Sequence, residues 1–265
     1  MILGKKIQKT KPLAGKRILI TRAQDQSAEL ISILEKAGAE PVVFSTIRTV
    51  PTHDWAECDK AIEKVRRWDG FIFTSANAVR YFIERLRSLV PDYRAVMLQQ
   101  PIYAVGSATG KALSAYGLSA ICFDSVHNAG ELADAVSKHS RFGQQFLFPS
   151  GQLANETIEH WLSHAGISVH RIVVYETEAA DTEELEIITL ALQERQIDMI
   201  TFFSPSSFTN FVKVISKTTL DGCRIAAIGS TTAKAITDSG LHVDVIPPKP
   251  TAEQLVESIE KFYES

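Results

Sequence analysis

At 265 residues, with 45% hydrophobic and 22% charged residues, the chain suffices for one large domain or two medium ones and has an ordinary globular composition. A formal net charge of −3 gives no general drive toward nucleic acid or an anionic membrane. No run of about 18 apolar residues is present to span a bilayer.

Lys5, Lys6, Lys9, Lys11, Lys16 and Arg17 form a basic leader without acids. It reads as a solvated extension rather than a nucleic-acid or lipid contact. It lacks the apolar core of a secretory signal, so a cytoplasmic protein is expected. Cys58, Cys122 and Cys223 are far apart and form no CxxC, which suggests reduced thiols. Cys122 and Cys223 stand in apolar runs and are expected as small core residues.

The first strand is expected at 17–21, ending in Thr21-Arg22. Leu30, Ile33, Leu34 and Ala37 then form a helical stripe, closed by Gly38 as a C′ residue. Strands are expected at 41–44 and 70–73, then a helix on Val79, Phe82, Ile83 and Leu86. A strand at 101–105 precedes a helix on Ala112, Leu113 and Tyr116 that ends at Gly117. After a strand at 119–123, Asn128-x-x-Glu131 has capping-box spacing ahead of Leu132 and Val136. Strands at 145–149 and 168–174 flank a helix on Ile158, Trp161, Leu162 and Ala165. A strand at 198–203 leads to a helix on Phe208, Phe211, Val212 and Ile215. Strands at 223–228 and 242–246 flank Ala235, Ile236 and Gly240. Thr251-x-x-Gln254, approached through Pro247, Pro248 and Pro250, opens a last helix on Leu255 and Ile259.

Two stretches of this order resemble each other. GFIFTSANAV (70–79) matches MITFFSPSSF (199–208), and IYAVGSATGKALSAYGLSA (102–120) matches IAAIGSTTAKAITDSGLHV (225–243). Strands alternating with helices mean βαβ units and parallel sheets, whose strand-to-helix turns gather on one edge where ligands bind. Two similar α/β lobes with a cleft lined by the repeated turns are expected.

Four turns share one design: Thr74-Ser75-Ala76-Asn77, Gly106-Ser107-Ala108-Thr109, Ser204-Pro205-Ser206-Ser207 and Gly229-Ser230-Thr231-Thr232. Each brings hydroxyls and backbone N–H groups to a helix start, which favours carboxylate or phosphate. Ordinary N-capping is the better explanation of any one of them, but four matched turns weaken that explanation. Arg22 can grip a carboxylate or form a surface ion pair. Tyr175 in VVYET can be packing or can offer a phenol for proton transfer. The chain has no GxGxxG, no P-loop and no GxSxG elbow, and its HWLSH segment (160–164) lacks the glutamate of HExxH. His160 and His164 read as exposed side chains, and no metal site is expected.

These motifs together resemble uroporphyrinogen-III synthase. ILITRAQDQSAELISILEKAGAEPV, DGFIFTSANAV, AVGSATGKAL, VVYET, ITFFSPSSFTNF, AAIGSTTAKAI and PTAEQLVESI occur in family order over residues 17–260. The resemblance implies cyclisation of hydroxymethylbilane to uroporphyrinogen III with loss of water and inversion of ring D, in haem biosynthesis, without metal or organic cofactor. It implies a cytoplasmic monomer that meets a small-molecule substrate, with hand-over from hydroxymethylbilane synthase and no nucleic-acid or membrane partner. The substrate's eight carboxylates suit the four turns. The implied fold is α/β, with two similar lobes of parallel five-stranded sheets flanked by helices. Its discontinuous domains, 1–46 with 177–265 and 47–176, are joined by two antiparallel linker strands near Ser45–Thr52 and Ile172–Ala180. Short linkers imply hinge motion.

Carried over by position, Tyr175 matches the tyrosine proposed to help the hydroxyl leave. The substrate-binding candidates are Arg22, Thr74, Ser75, Ala76, Asn77, Gly106, Thr109, Ser204, Ser206, Thr231 and Thr232. Ser230 departs from the proline common at its position, which loosens that turn. The competing readings are a non-catalytic two-lobed binder of an anionic small molecule and, more distantly, a nucleotide-sugar transferase.

Overall fold

Ile18, Leu19 and Ile20 are shielded on both sides, as a strand in the middle of a parallel sheet requires. The computed structural model describes residues 11–23, 26–123, 126 and 128–264; Lys5, Lys6 and Lys9 of the basic leader lie outside the described residues. The chain opens with β1 (Arg17–Ile20), α1 (Ala28–Ala37), β2 (Glu40–Val43) and β3 (Ile47–Pro51). It continues through α2 (Ala56–Glu63), β4 (Gly70–Phe73), α3 (Ala76–Leu89), α4 (Tyr93–Met97), β5 (Ile102–Ala104) and α5 (Gly106–Ala115). Next come α6 (Ala129–Lys138), β6 (Gln145–Gly151), α7 (Thr157–His164) and β7 (Ser168–Ala179). The last part holds α8 (Thr182–Gln193), β8 (Met199–Phe202), α9 (Pro205–Val214), β9 (Arg224–Ala227), α10 (Ser230–Asp238) and α11 (Ala252–Glu264). Its contacts divide the chain into two compact units, residues 1–48 with 179–265 and residues 49–178. Among the described residues no helix is long and apolar enough to cross a membrane.

The first unit carries a sheet in the order β2-β1-β8-β9, with every pairing parallel. Alternation along the strands sends side chains to two cores. Leu19, Ile200, Phe202, Ile225 and Ala227 pack with residues of α8, α9 and α10, including Ile188, Phe208, Phe211 and Ile236. Ile18, Ile20, Met199 and Ala226 pack with Leu30 and Leu34 of α1 and Leu255, Val256 and Ile259 of α11. This sheet has four strands, not the five expected. The run 242–246 makes only an isolated bridge, Ala226 to Val245. Pro247 and Pro248 follow at once and have no N–H with which to extend a ladder.

The second sheet runs β3-β7-β6-β4-β5. The pairings β7-β6, β6-β4 and β4-β5 are parallel. Ala180 N–H donates to Thr46 C=O, and Thr52 N–H donates to Val174 C=O. Residue numbers rise along one strand as they fall along the other, so β3 opposes β7 and the sheet is mixed rather than parallel throughout. The run 119–123 makes only a bridge, Tyr103 to Ile121, and Cys122 is exposed instead of buried in a core. Phe71, Phe73, Ile102 and Leu147 pack on α2 and α3 through Ile62, Val79 and Phe82. Ile72, Tyr103, Phe146 and Phe148 face α6 and α7 through Leu132, Val136, Ile158 and Leu162.

The expected helix signals act as physics dictates. Gly38 closes α1 at φ 96°, a left-handed conformation in which a side chain would be strained. Asn128 Oδ1 accepts from Glu131 N–H at 3.0 Å, and Thr251 Oγ1 accepts from Gln254 N–H at 3.3 Å.

Candidate active site

In the second unit, parallel pairing brings the carboxyl ends of β4, β5 and β6 to one edge. β4 ends at Phe73, Thr74 follows in the turn, and Ser75 caps α3 by accepting from Ala78 N–H at 3.1 Å. Thr74, Ser75, Ala76 and Asn77 are all partly exposed. Ser75 Oγ also lies 3.4 Å from the phenol oxygen of Tyr175, so two of the expected site residues meet. Tyr175 reaches this position because the β6-β7 register shifts between Ser150 and Gly151. Ser150 pairs with Val173, but Gly151 pairs with Tyr175, and such an irregularity re-aims a side chain. The Tyr175 ring stacks on Tyr81, with centroids 5.7 Å apart and planes 24° apart. Tyr81 is fixed in turn, since its hydroxyl donates to Thr49 C=O at 2.6 Å. The Arg80 guanidinium covers the Tyr81 ring at 4.5 Å.

The residue after Tyr175 is also pinned. Glu176 Oε1 accepts from His53 N–H at 3.0 Å and from Thr52 Oγ1 at 3.0 Å. The His53 backbone N–H and then the Thr52 hydroxyl hold the Glu176 carboxyl below the usual carboxylate range. The turn after β5 begins at Gly106, where φ is 72°. Glycine adopts that conformation without steric cost. Thr109, by contrast, is 3% exposed.

In the first unit, Thr21 locks β1 to β8. Its Oγ1 donates to Thr201 C=O at 2.7 Å, and Thr201 Oγ1 donates to Leu19 C=O at 2.9 Å. Arg22 then emerges exposed, donating from Nε to Gln26 Oε1 at 3.0 Å and lying 5.5 Å from the Phe203 ring. The sheet order thus brings Arg22 against the β8–α9 turn. Ser204 caps α9 in a capping box: its Oγ accepts from Ser207 N–H, and Ser207 Oγ accepts from Ser204 N–H at 3.1 Å. Pro205 fills the first helical position. Exposed Ser206 lies 2.9 Å from the Ser204 hydroxyl. At α10, Thr231 is exposed, while Thr232 is 3% exposed, as Thr109 is in α5.

The helices that follow the four matched turns share one feature. α3, α5, α9 and α10 have no acid in their first turns. Five-residue α4 also has none, whereas α1, α2, α6, α7, α8 and α11 each carry at least one. An acid there satisfies the positive end of the helix. Its absence leaves that end available to an anion. The two copies also match in detail: Ser75 and Ser204 cap their helices, while α5 and α10 carry no side-chain cap.

Sequence reasoning missed Tyr81, Gly151 and the Thr52–His53–Glu176 cluster. Each acts through a partner distant in the chain, so no local pattern marks it. His160 and His164 are exposed, with rings 4.6 Å apart, and among the described residues no three potential metal ligands gather.

Two parallel-rich sheets flanked by helices, with hydroxyl-bearing turns at the strand ends, define an α/β protein. The uroporphyrinogen-III synthase HemD family model matches residues 25–257, and the chain belongs to that family. It is similar to uroporphyrinogen-III synthase from Chlorobaculum parvum, at 34% identity over 233 residues, covering 88% of this chain and 93% of that protein. The enzyme of Synechococcus elongatus is 28% identical, covering 95% and 97%. The crystal structure of a mutant uroporphyrinogen III synthase from Thermus thermophilus shares the fold at TM-score 0.59 and 16% identity, covering 94% and 99%. That of the Helicobacter pylori enzyme does so at 0.55 and 18%, covering 91% and 97%.

Proposed function

We propose that this chain cyclises hydroxymethylbilane to uroporphyrinogen III, with loss of water and inversion of ring D, as a lyase of haem biosynthesis. The observation that carries the proposal is the contact between the Tyr175 phenol and Ser75 at the start of an acid-free helix. The phenol donates a hydrogen bond to the departing hydroxyl, and Ser75 steadies the phenol oxygen. Arg22, Thr74, Ala76, Asn77, Gly106, Ser204, Ser206 and Thr231 hold substrate carboxylates, with Thr109 and Thr232 supporting their helices. Holding a flexible linear tetrapyrrole in one conformation selects among ring closures, so much of the catalysis is orientation.

The reading extends to discontinuous domains, 1–46 with 177–265 and 47–176, joined by two antiparallel linker strands. The two compact units and the opposed directions of β3 and β7 support it. It also takes the protein as a cytoplasmic monomer that receives its substrate from hydroxymethylbilane synthase. Three free cysteines suit a reducing compartment. The non-catalytic alternative finds no support among relatives, which are synthases by name over most of their length.

The test generates hydroxymethylbilane in situ, oxidises the products and separates the isomers. Isomer III is expected. Isomer I at the uncatalysed rate would sink the proposal.

A further inference from the structure

Gly151 is buried, and its backbone is not in the left-handed region, so conformation does not require a glycine there. Space does. A Cβ at this position would stand 2.5 Å from Cζ of Tyr175, 2.7 Å from Cε2 and 2.8 Å from the phenol oxygen. Favourable carbon–carbon contact needs about 3.5–4.0 Å. The Tyr175 ring therefore lies across the bare backbone of β6, at the point where the register shift sets Gly151 opposite it. Any side chain at 151 must displace the ring by about 1 Å. That displacement disturbs both its stacking on Tyr81 and its approach to Ser75.

We infer that Gly151 is a positioning residue, the missing side chain that sets where the Tyr175 phenol stands. Tyr81, tied to Thr49 C=O, holds the ring through stacking. The inference rests on the reading that Tyr175 serves the reaction, but its physical content can be tested separately.

The experiment uses the full-length chain with tyrosine labelled with carbon-13 at Cζ. The Tyr175 resonance is assigned by its loss in Tyr175→Phe. In Gly151→Ala that resonance shifts; an unmoved resonance overturns the inference, whatever the activity of the wild type. For turnover, Gly151→Ala loses about 10- to 100-fold in kcat, as a misplacement of about 1 Å implies, while KM stays within about two-fold. In a Tyr175→Ala background the same substitution changes kcat by less than about two-fold, because nothing remains to displace. Equal losses in both backgrounds would mark a merely structural glycine and overturn the proposal. Should Gly151→Ala fail to fold, Gly151→Ala with Tyr175→Ala recovers the fold; a double variant still unfolded also overturns it. Wild-type protein yielding only isomer I would instead sink the functional reading, with the resonance shift still deciding the role of Gly151.

Discussion

Tyr175 is partly exposed, yet its ring is fixed by a stack on one residue, a contact with a bare backbone and a hydroxyl neighbour. Replacing it with phenylalanine keeps the stack and removes only the oxygen. Tyr175→Phe is therefore expected to slow turnover by about 10²–10⁴-fold, the usual range for losing an acid or base group. The circular dichroism and melting temperature should stay near wild type. Wild-type kinetics would remove the phenol from the mechanism. The neighbouring Glu176 gives a separate test through pH. The His53 N–H and the Thr52 hydroxyl depress its native carboxyl, so its stabilising effect is present above the ordinary carboxylate range and is lost as pH falls through the native value. Thr52→Ala withdraws one donor, and the native value rises toward the ordinary range. Urea midpoints from pH 7 down to pH 3 should show the variant weaker at neutral pH, with the gap closing in acid. A gap that stays constant with pH would detach the effect from the carboxyl. Cysteine reactivity provides a third test at this scale. Burial, and secondarily Asp59, push the Cys58 thiol up to about 12, while Cys122 is exposed. A maleimide or disulfide reagent at pH 8 should therefore modify Cys122 in the native protein and Cys58 only on unfolding.

At the scale of elements, the acid-free helix starts pose a choice between stability and binding. A glutamate at exposed Ser230, the first residue of α10, should stabilise that helix by about 0.3–1 kcal/mol through the helix dipole. The same charge repels an anionic substrate. Ser230→Glu is thus expected to raise the melting temperature slightly and KM several-fold, with the KM effect shrinking in salt. Unchanged KM would show that α10 does not meet the substrate. The helix starts were legible because capping is local: Ser75, Ser204, Asn128 and Thr251 each serve a helix only a few residues away. Strands were less legible. The apolar runs at 119–123 and 242–246 looked like strands but form single bridges, since a strand needs a partner edge as well as composition. β3, with the sequence IRTVP, has no apolar run to mark it, and only the family resemblance implies a linker strand there that opposes β7. In the site, Ser75 was visible as a cap and Tyr175 within its motif. Tyr81 and Gly151 were not, because they meet Tyr175 across tertiary distance.

At the scale of the whole molecule, the first unit is built from two stretches far apart in sequence. Phe211 of α9 makes edge-to-face contacts with Phe202 at 5.4 Å and with Phe44 at 6.2 Å. Phe44 lies just after β2 in the amino-terminal stretch; Phe202 and Phe211 belong to the carboxyl-terminal one. Truncating this fully buried ring should destabilise the unit by about 3–5 kcal/mol, from lost transfer energy and the cavity left behind. Hydrogen exchange read by mass spectrometry shows where that loss is felt. In Phe211→Ala, peptides from 17–43 should lose protection together with peptides from 199–236, since β1 is hydrogen-bonded between β2 and β8. Peptides from 70–104 and 145–174 draw on other cores, around Phe82 and Phe146, and should keep more of theirs. Phe82→Ala should reverse the pattern. If 17–43 kept full protection while 199–236 lost it, the two stretches would not form one cooperative unit, and the sheet order that brings Arg22 against the β8–α9 turn would lose its energetic basis.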